Sequence, residues 1–222
     1  KKDKILDNRE IQMKFFRTTN THKEYWRQRK IDWKVSYSDT WTHPHRQLIV
    51  EVLSQFRWKS LIEIGCGSGA NLIKIVQSFQ GVQVGGMDIN KDAIELASKT
   101  FTGAHFGVGS GDNIMMSDKS TDCVLVDAVY IYVGSFQIRK YIREAKRIAR
   151  NYIVLCEFHS ESWWNRLALK INTGYNAYDY KKLLESEGFY DVVMTKIPKE
   201  AWSGTPWQEF GYILVAKVPT YV

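Results

Sequence analysis

The run Glu63-Ile64-Gly65-Cys66-Gly67-Ser68-Gly69-Ala70 puts three glycines into five positions directly after a short apolar stretch. Glycine at such a turn lets the chain fold tightly and lets a ligand approach the peptide N–H groups, which are free wherever a helix starts. Gly65, Gly67 and Ala70 also satisfy the dinucleotide pattern G-x-G-x-x-G/A, so the loop by itself leaves a nicotinamide cofactor open. The acids around it say more. Glu63 stands two residues before the first glycine, where it has no evident use to a pyrophosphate but suits a ligand with a positive amino group. Asp88, with Ile89 beside it, ends the next apolar run and is placed for two ribose hydroxyls, a role shared with nicotinamide enzymes. Asp112-Asn113 and Asp127 close the two runs after that. Acids at four successive strand ends crowd the sheet edge where ligands bind in open α/β folds, and such a rim repels a pyrophosphate.

Groups able to move a proton follow the later apolar runs. Tyr130 comes after the fourth; Glu157 and His159 come after the fifth, in Cys-Glu-Phe-His-Ser. Histidine has the pKa suited to proton transfer near neutrality, although a single histidine is as often a loop hydrogen-bonder. His43 and Arg46, on either side of Pro44 and His45, are placed to close over a ligand carboxylate or to open a helix. Trp41, Trp163, Trp202 and Trp207 are expected on the side of the sheet where these loops gather, as walls for an acceptor or as lid packing. No cysteine or histidine spacing suggests a metal site.

These residues need elements to hold them. Strands are expected at 60–65, 82–88, 104–108, within 123–133, and at 152–157, 190–197 and 210–218. Helical patterns lie between them. Leu72, Ile75, Val76 and Phe79 share one face; Asn90 caps the next helix; Ile138, Tyr141, Ile142, Ala145 and Ile148 form the inward stripe of a helix over 135–149. A helix over 177–188 ends at Gly188, and one over 43–56 opens with Pro44. Strand alternating with helix argues for a parallel sheet covered on both faces.

The 222-residue length fits one such domain with an added segment. Residues 1–34 hold eleven Lys/Arg against five Asp/Glu, while the remainder holds twenty against nineteen, so the net charge of +7 belongs to an N-terminal arm. That arm suits an anionic partner such as RNA, or is a solvated helical face. Three scattered cysteines read as reduced thiols, and with no apolar run long enough to span a bilayer the expected location is the cytoplasm.

Taken together, the glycine loop, Asp88, Asp112 and Asp127, in this order and spacing over roughly residues 58–218, resemble the Rossmann-like (class I) S-adenosylmethionine-dependent methyltransferases. The resemblance implies an α/β fold: a seven-stranded, mostly parallel sheet with an antiparallel last strand and helices on both faces. It divides the chain into an arm or lid over residues 1–42 and a methyltransferase domain over 43–222. It also implies that Gly65, Cys66, Gly67 and Gly69 cradle the amino-acid end of S-adenosylmethionine, that Asp88 holds the ribose, and that Asp112 meets the adenine amino group. The expected reaction is methyl transfer to an oxygen or nitrogen of a small or medium-sized acceptor. A sugar-containing metabolite is one candidate, since residues 124–161 loosely resemble methyltransferases found with sugar-biosynthesis enzymes. The alternatives are an RNA methyltransferase that uses the basic arm, and a non-catalytic protein that keeps the fold for binding. Asp127-Ala128-Val129-Tyr130 stands where the DNA amino-methylating enzymes of this fold carry Asn/Asp-Pro-Pro-Tyr/Phe, which counts against that branch.

Overall fold

The computed structural model describes residues 19–202 and 204–219. Its centre is a seven-stranded sheet of β1 (Ser60–Ile64), β2 (Gln83–Asp88), β3 (His105–Val108), β4 (Thr121–Asp127), β5 (Ala149–Phe158), β6 (Tyr190–Lys196) and β7 (Gly211–Lys217). The strand order is β3-β2-β1-β4-β5-β7-β6, and β7 alone runs antiparallel to its neighbours. Continuous apolar runs form the middle strands because both faces are covered. Alternate residues serve opposite cores. Val124, Val126, Ile153 and Leu155 join one cluster, and Cys123, Leu125, Val154 and Cys156 join the other. All three cysteines are free and buried, as expected of small core hydrophobes.

The helices are α1 (Thr19–Gln28), α2 (Trp33–Ser36), α3 (Pro44–Leu53), α4 (Ala70–Ser78), α5 (Lys91–Thr100), α6 (Ile138–Ile148), α7 (Trp163–Thr173), α8 (Tyr180–Ser186) and α9 (Thr205–Phe210). Helix α6 buries the five-residue stripe read from its sequence. Its exposed Arg139 and Arg143 both reach Glu187 at the end of α8, joining two helices on one face. Asn90 caps α5 by accepting from Ala93 N at 3.1 Å, and Pro44 occupies the first turn of α3.

Two helices, α7 and α9, lie in stretches whose pattern does not announce them. Helix α7 buries only Leu169 and leaves Trp163, Trp164, Leu167 and Ile171 exposed, so its apolar residues trace no inward face. Its caps were readable: Ser162 accepts from Asn165 N, and Gly174 takes the left-handed conformation.

The described part of the arm lies along the end of the sheet where the glycine loop sits. Ser68 Oγ donates to Trp33 O at 2.8 Å, and Ser38 Oγ donates to Ser68 O at 3.2 Å. Asn90 Nδ2 donates to Trp26 O at 2.8 Å and to Arg29 O at 2.9 Å. Each cation in this part has a partner. Lys23 pairs with Asp112, Arg27 with Glu24, Lys30 with Asp92 and Lys34 with Asp39, while Arg29 packs over Tyr25 and Trp26. The first eighteen residues of the basic arm lie outside the described residues. Among the described residues no helix is long and apolar enough to cross a membrane, and no cluster of side chains is set to hold a metal.

Candidate active site

The order of the sheet reverses between β1 and β4, and a cavity of about 450 Å³ opens at their carboxyl ends. Open α/β sheets form crevices at this point because the chain leaves β1 and β4 in opposite directions. The loop after β1 takes its shape from its glycines. Gly65 and Gly67 have φ of 76° and 53°, and a Cβ on Gly65 would stand 2.2 Å from Val129 Cγ2 in the loop after β4. The two loops therefore pack directly against each other. Asp88 fixes the first of them from the side, its Oδ2 accepting Gly67 N at 2.9 Å and its Oδ1 accepting Asn90 N at 2.8 Å.

Buried acids lie under the glycine loop. Asn71, in the first turn of α4, donates to Glu63 Oε1 at 2.6 Å and to Asp127 Oδ2 at 2.8 Å, bridging the ends of β1 and β4. The Arg46 guanidinium binds Asn71 Oδ1 and Thr40 and stands 3.6 Å from Asp127. Burial pushes the Glu63 carboxyl up to about 8. Against the same burial, His45 and Arg46 hold Asp127 far below the usual carboxylate range. One carboxyl oxygen of each acid, Glu63 Oε2 and Asp127 Oδ1, is buried without a hydrogen-bond partner among the described residues. Unpartnered buried carboxylate oxygens are costly, and a cationic ligand group is the chemistry that satisfies them.

Of the cofactor residues expected from the sequence, Glu63, Gly65, Cys66, Gly67, Asp88, Ile89 and Asp127 line this cavity. Gly69, Asp112 and Asn113 do not, although Gly111 and Ser110 beside them do. Asp112 instead accepts from Lys23 at 2.7 Å and from Ser110 at 2.6 Å. These contacts outweigh its burial and bring its carboxyl down to about 2. Of the expected acceptor-side residues, His43, Arg46, Trp202 and Trp207 line the cavity, whereas Trp41 and Trp163 do not. The Trp202 and Trp207 rings are stacked 3.7 Å apart, and His45 lies 3.9 Å from Trp202.

The three residues expected to move protons stand elsewhere. Tyr130 is fully buried, with its hydroxyl donating to Tyr141 O at 3.4 Å. Glu157 accepts Val129 N, Tyr130 N and Ile131 N at 2.8, 2.7 and 2.9 Å, so it holds the loop after β4 rather than facing the cavity. That loop carries Ala128 at φ 56°, a strained conformation for a residue with a Cβ. His159 Nδ1 accepts Tyr180 N at 3.1 Å, and its ring lines a different pocket, with Asn165 and Glu209. Sequence reasoning also passed over residues that do line the cavity: Asn71, Tyr37, Tyr175 and, from the arm, His22 and Lys23. The signals available were an amide just behind the glycine loop and the aromatic density of residues 25–41.

A methyltransferase-domain family model matches residues 61–151. Over 95 residues the chain is 28% identical to the phthiotriol/phenolphthiotriol dimycocerosates methyltransferase of Mycobacterium tuberculosis, a match covering 41% of this chain and 34% of that protein. It is 27% identical, with the same coverage, to a fatty-acid O-methyltransferase of Mycolicibacterium smegmatis. The match thus spans about a third of the length of these curated relatives. Among solved structures, magnesium protoporphyrin IX methyltransferase from Synechocystis PCC 6803, crystallised with S-adenosylmethionine, superposes with a TM-score of 0.59. It is 16% identical, and the superposition covers 98% of this chain and all of that one. The family model thus lies on β1 to β4 and the first residues of β5, where the chain is similar to methyltransferase domains, and the sheet as a whole has the Rossmann-like fold of that solved methyltransferase.

Proposed function

We propose that this chain transfers a methyl group from S-adenosylmethionine to an oxygen of a small or medium-sized, largely apolar acceptor. One observation carries the reading: Glu63 and Asp127, which line the crevice behind a glycine loop at the switch point of the sheet, each keep a buried carboxyl oxygen without a hydrogen-bond partner among the described residues. That donor set fits a ligand with an ammonium and a sulfonium, and it does not fit a pyrophosphate. Bound S-adenosylmethionine supplies an activated methyl group on positively charged sulfur. The residues of the chain bind, orient and exclude water. The Gly65–Gly67 backbone and Glu63 would receive the amino-acid end, and Asp88 would receive the ribose hydroxyls through lone pairs left by its two N–H contacts. Gly111 and Ser110 would border the adenine. Trp202, Trp207, Tyr132 and Tyr175 give the acceptor side apolar walls.

Oxygen is preferred to nitrogen because a curated relative carries an O-methyltransferase name, and those relatives act on lipid-like molecules by name. A sugar-bearing acceptor remains compatible with aromatic walls. The RNA reading gains nothing from the described part of the arm, whose cations are all engaged. The test is calorimetric titration with S-adenosylhomocysteine, followed by transfer of labelled methyl to a panel of hydroxyl, carboxyl and amine acceptors. Binding without transfer to any acceptor class would favour a non-catalytic binding protein.

A further inference from the structure

The cavity contains a chain of three titratable side chains, two of which, His43 and His45, have no part in holding the methyl donor. Asp127 Oδ2 lies 3.1 Å from His45 Nε2, and His45 Nδ1 lies 2.6 Å from His43 Nδ1. His45 and Asp127 are almost fully buried, while His43 is partly open and borders the cavity. Two ring nitrogens at 2.6 Å must share one proton, because two lone pairs or two N–H groups would repel. The Asp127 carboxylate fixes a proton on His45 Nε2. With His45 Nδ1 as the acceptor, the shared proton belongs to His43 Nδ1. That leaves a lone pair on His43 Nε2, a nitrogen that makes no hydrogen bond among the described residues.

We propose that His43 Nε2 is the general base that takes a proton from a hydroxyl acceptor, with His45 and Asp127 as positioning residues that set its tautomer. The proposal rests on the methyltransferase reading above and narrows its acceptor class to alcohols or phenols. A carboxylate acceptor carries no proton to remove and gives this chain nothing to do. In the transfer, the acceptor O–H bond breaks and its proton goes to His43 Nε2. The oxygen electron pair forms the bond to the methyl carbon, and the carbon–sulfur pair leaves with sulfur. The products are the methyl ether, S-adenosylhomocysteine and an imidazolium, whose charge Asp127 stabilises through His45.

The surroundings suit a base that is neutral before the reaction. Burial, with His45 and Arg46 nearby, lowers the His43 pKa, and Asp127 opposes them. The other charged or titratable groups at this end of the cavity are Arg46 from α3 and Glu63 from β1; Trp202, packed on both imidazoles, is uncharged. The duller role for His43 is to cap α3, with Nδ1 accepting His45 N at 3.4 Å. The two roles require opposite tautomers. A cap needs a lone pair on Nδ1 and the proton on Nε2, and the relay needs the reverse.

Nitrogen-15 NMR of the histidine side chains in the full chain, saturated with S-adenosylhomocysteine, separates them. The relay predicts His43 protonated on Nδ1 and His45 on Nε2, with the His43 preference lost in Asp127→Asn and in His45→Gln. It predicts further that phenol shifts the His43 Nε2 resonance, by donating its hydroxyl, and that benzoate does not. His43 protonated on Nε2 in the wild type would overturn the relay. A shift with benzoate, or with neither probe, would overturn the hydroxyl assignment. Failure to bind S-adenosylhomocysteine at all would sink the methyltransferase reading instead, and the tautomers of the unliganded protein would still report on the relay.

Discussion

Asn71 Nδ2 stands 2.6 Å from Glu63 Oε1, so an amide at the start of α4 supplies the hydrogen-bond donor to a carboxyl that burial pushes up to about 8. The other oxygen of Glu63 waits for a partner. At pH 7 the unliganded site therefore holds a mostly protonated Glu63, and an incoming ammonium must displace that proton. Calorimetry of S-adenosylhomocysteine binding at pH 7, repeated in buffers of different ionisation enthalpy, should show release of about one proton. At pH 9 the release should vanish, and affinity should weaken by up to about tenfold per unit as pH falls below 8. Glu63→Gln should lose both effects. Binding heats that do not depend on the buffer would count against an ammonium on Glu63.

The same carboxyl makes the ligand-free protein less stable in alkali. In the unfolded chain Glu63 titrates near 4.5, and in the folded one near 8. The folded state thus holds the extra proton between those values, and stability falls as pH rises until the folded carboxyl has ionised. Glu157, also pushed to about 8 by burial, acts in the same direction. Urea titrations of the unliganded protein should lose about 1 kcal/mol for each carboxyl between pH 7 and pH 9. Both histidines whose pKa is lowered are already neutral over that range. Glu63→Gln should remove its half of the slope; a flat profile would mean that the carboxyl is not raised.

Glu157 carries a second, separable load. It accepts three consecutive backbone N–H groups just after Ala128, among the described residues the one non-glycine residue at positive φ in the cavity wall. Glu157→Ala should cost about 3 kcal/mol or more in urea unfolding, because it leaves those buried donors unsatisfied. Ala128→Gly should be neutral or stabilising by up to about 1 kcal/mol, since glycine takes that conformation without strain. A Glu157→Ala protein as stable as wild type would show that the loop finds other acceptors.

Much of the fold was legible because the sheet is buried on both faces. The runs at β1, β4 and β5 read as strands by their length and β-branched content, and α6 by its inward stripe. Helix α7 was not legible, since four of its apolar residues point to solvent. Of the residues expected at the site, those fixed by local chain geometry line the cavity: Gly65 to Gly67, and the acids ending β1, β2 and β4. What the sequence could not order were contacts made over long separations. Lys23 reaching Asp112 crosses 89 positions, and His45 reaching Asp127 crosses 82. Glu157, near the end of β5, and His159, just beyond it, have acid–base residue types, yet the polar groups that claim them, three N–H donors and Tyr180 N, are visible only once the chain is folded.

The central claim is that the crevice between β1 and β4 holds S-adenosylmethionine, and the most direct measurement is calorimetric titration with S-adenosylhomocysteine of the wild type and Asp88→Ala, with NADH as control. Asp88 anchors Gly67 and lines the cavity, so its loss removes both a ligand contact and the loop's anchor. The account predicts micromolar binding of S-adenosylhomocysteine to the wild type, at least about a hundredfold weaker binding in a still-folded Asp88→Ala protein (roughly 3 kcal/mol), and no heat with NADH. A folded wild type that ignores S-adenosylhomocysteine, or that binds NADH in its place, would contradict it.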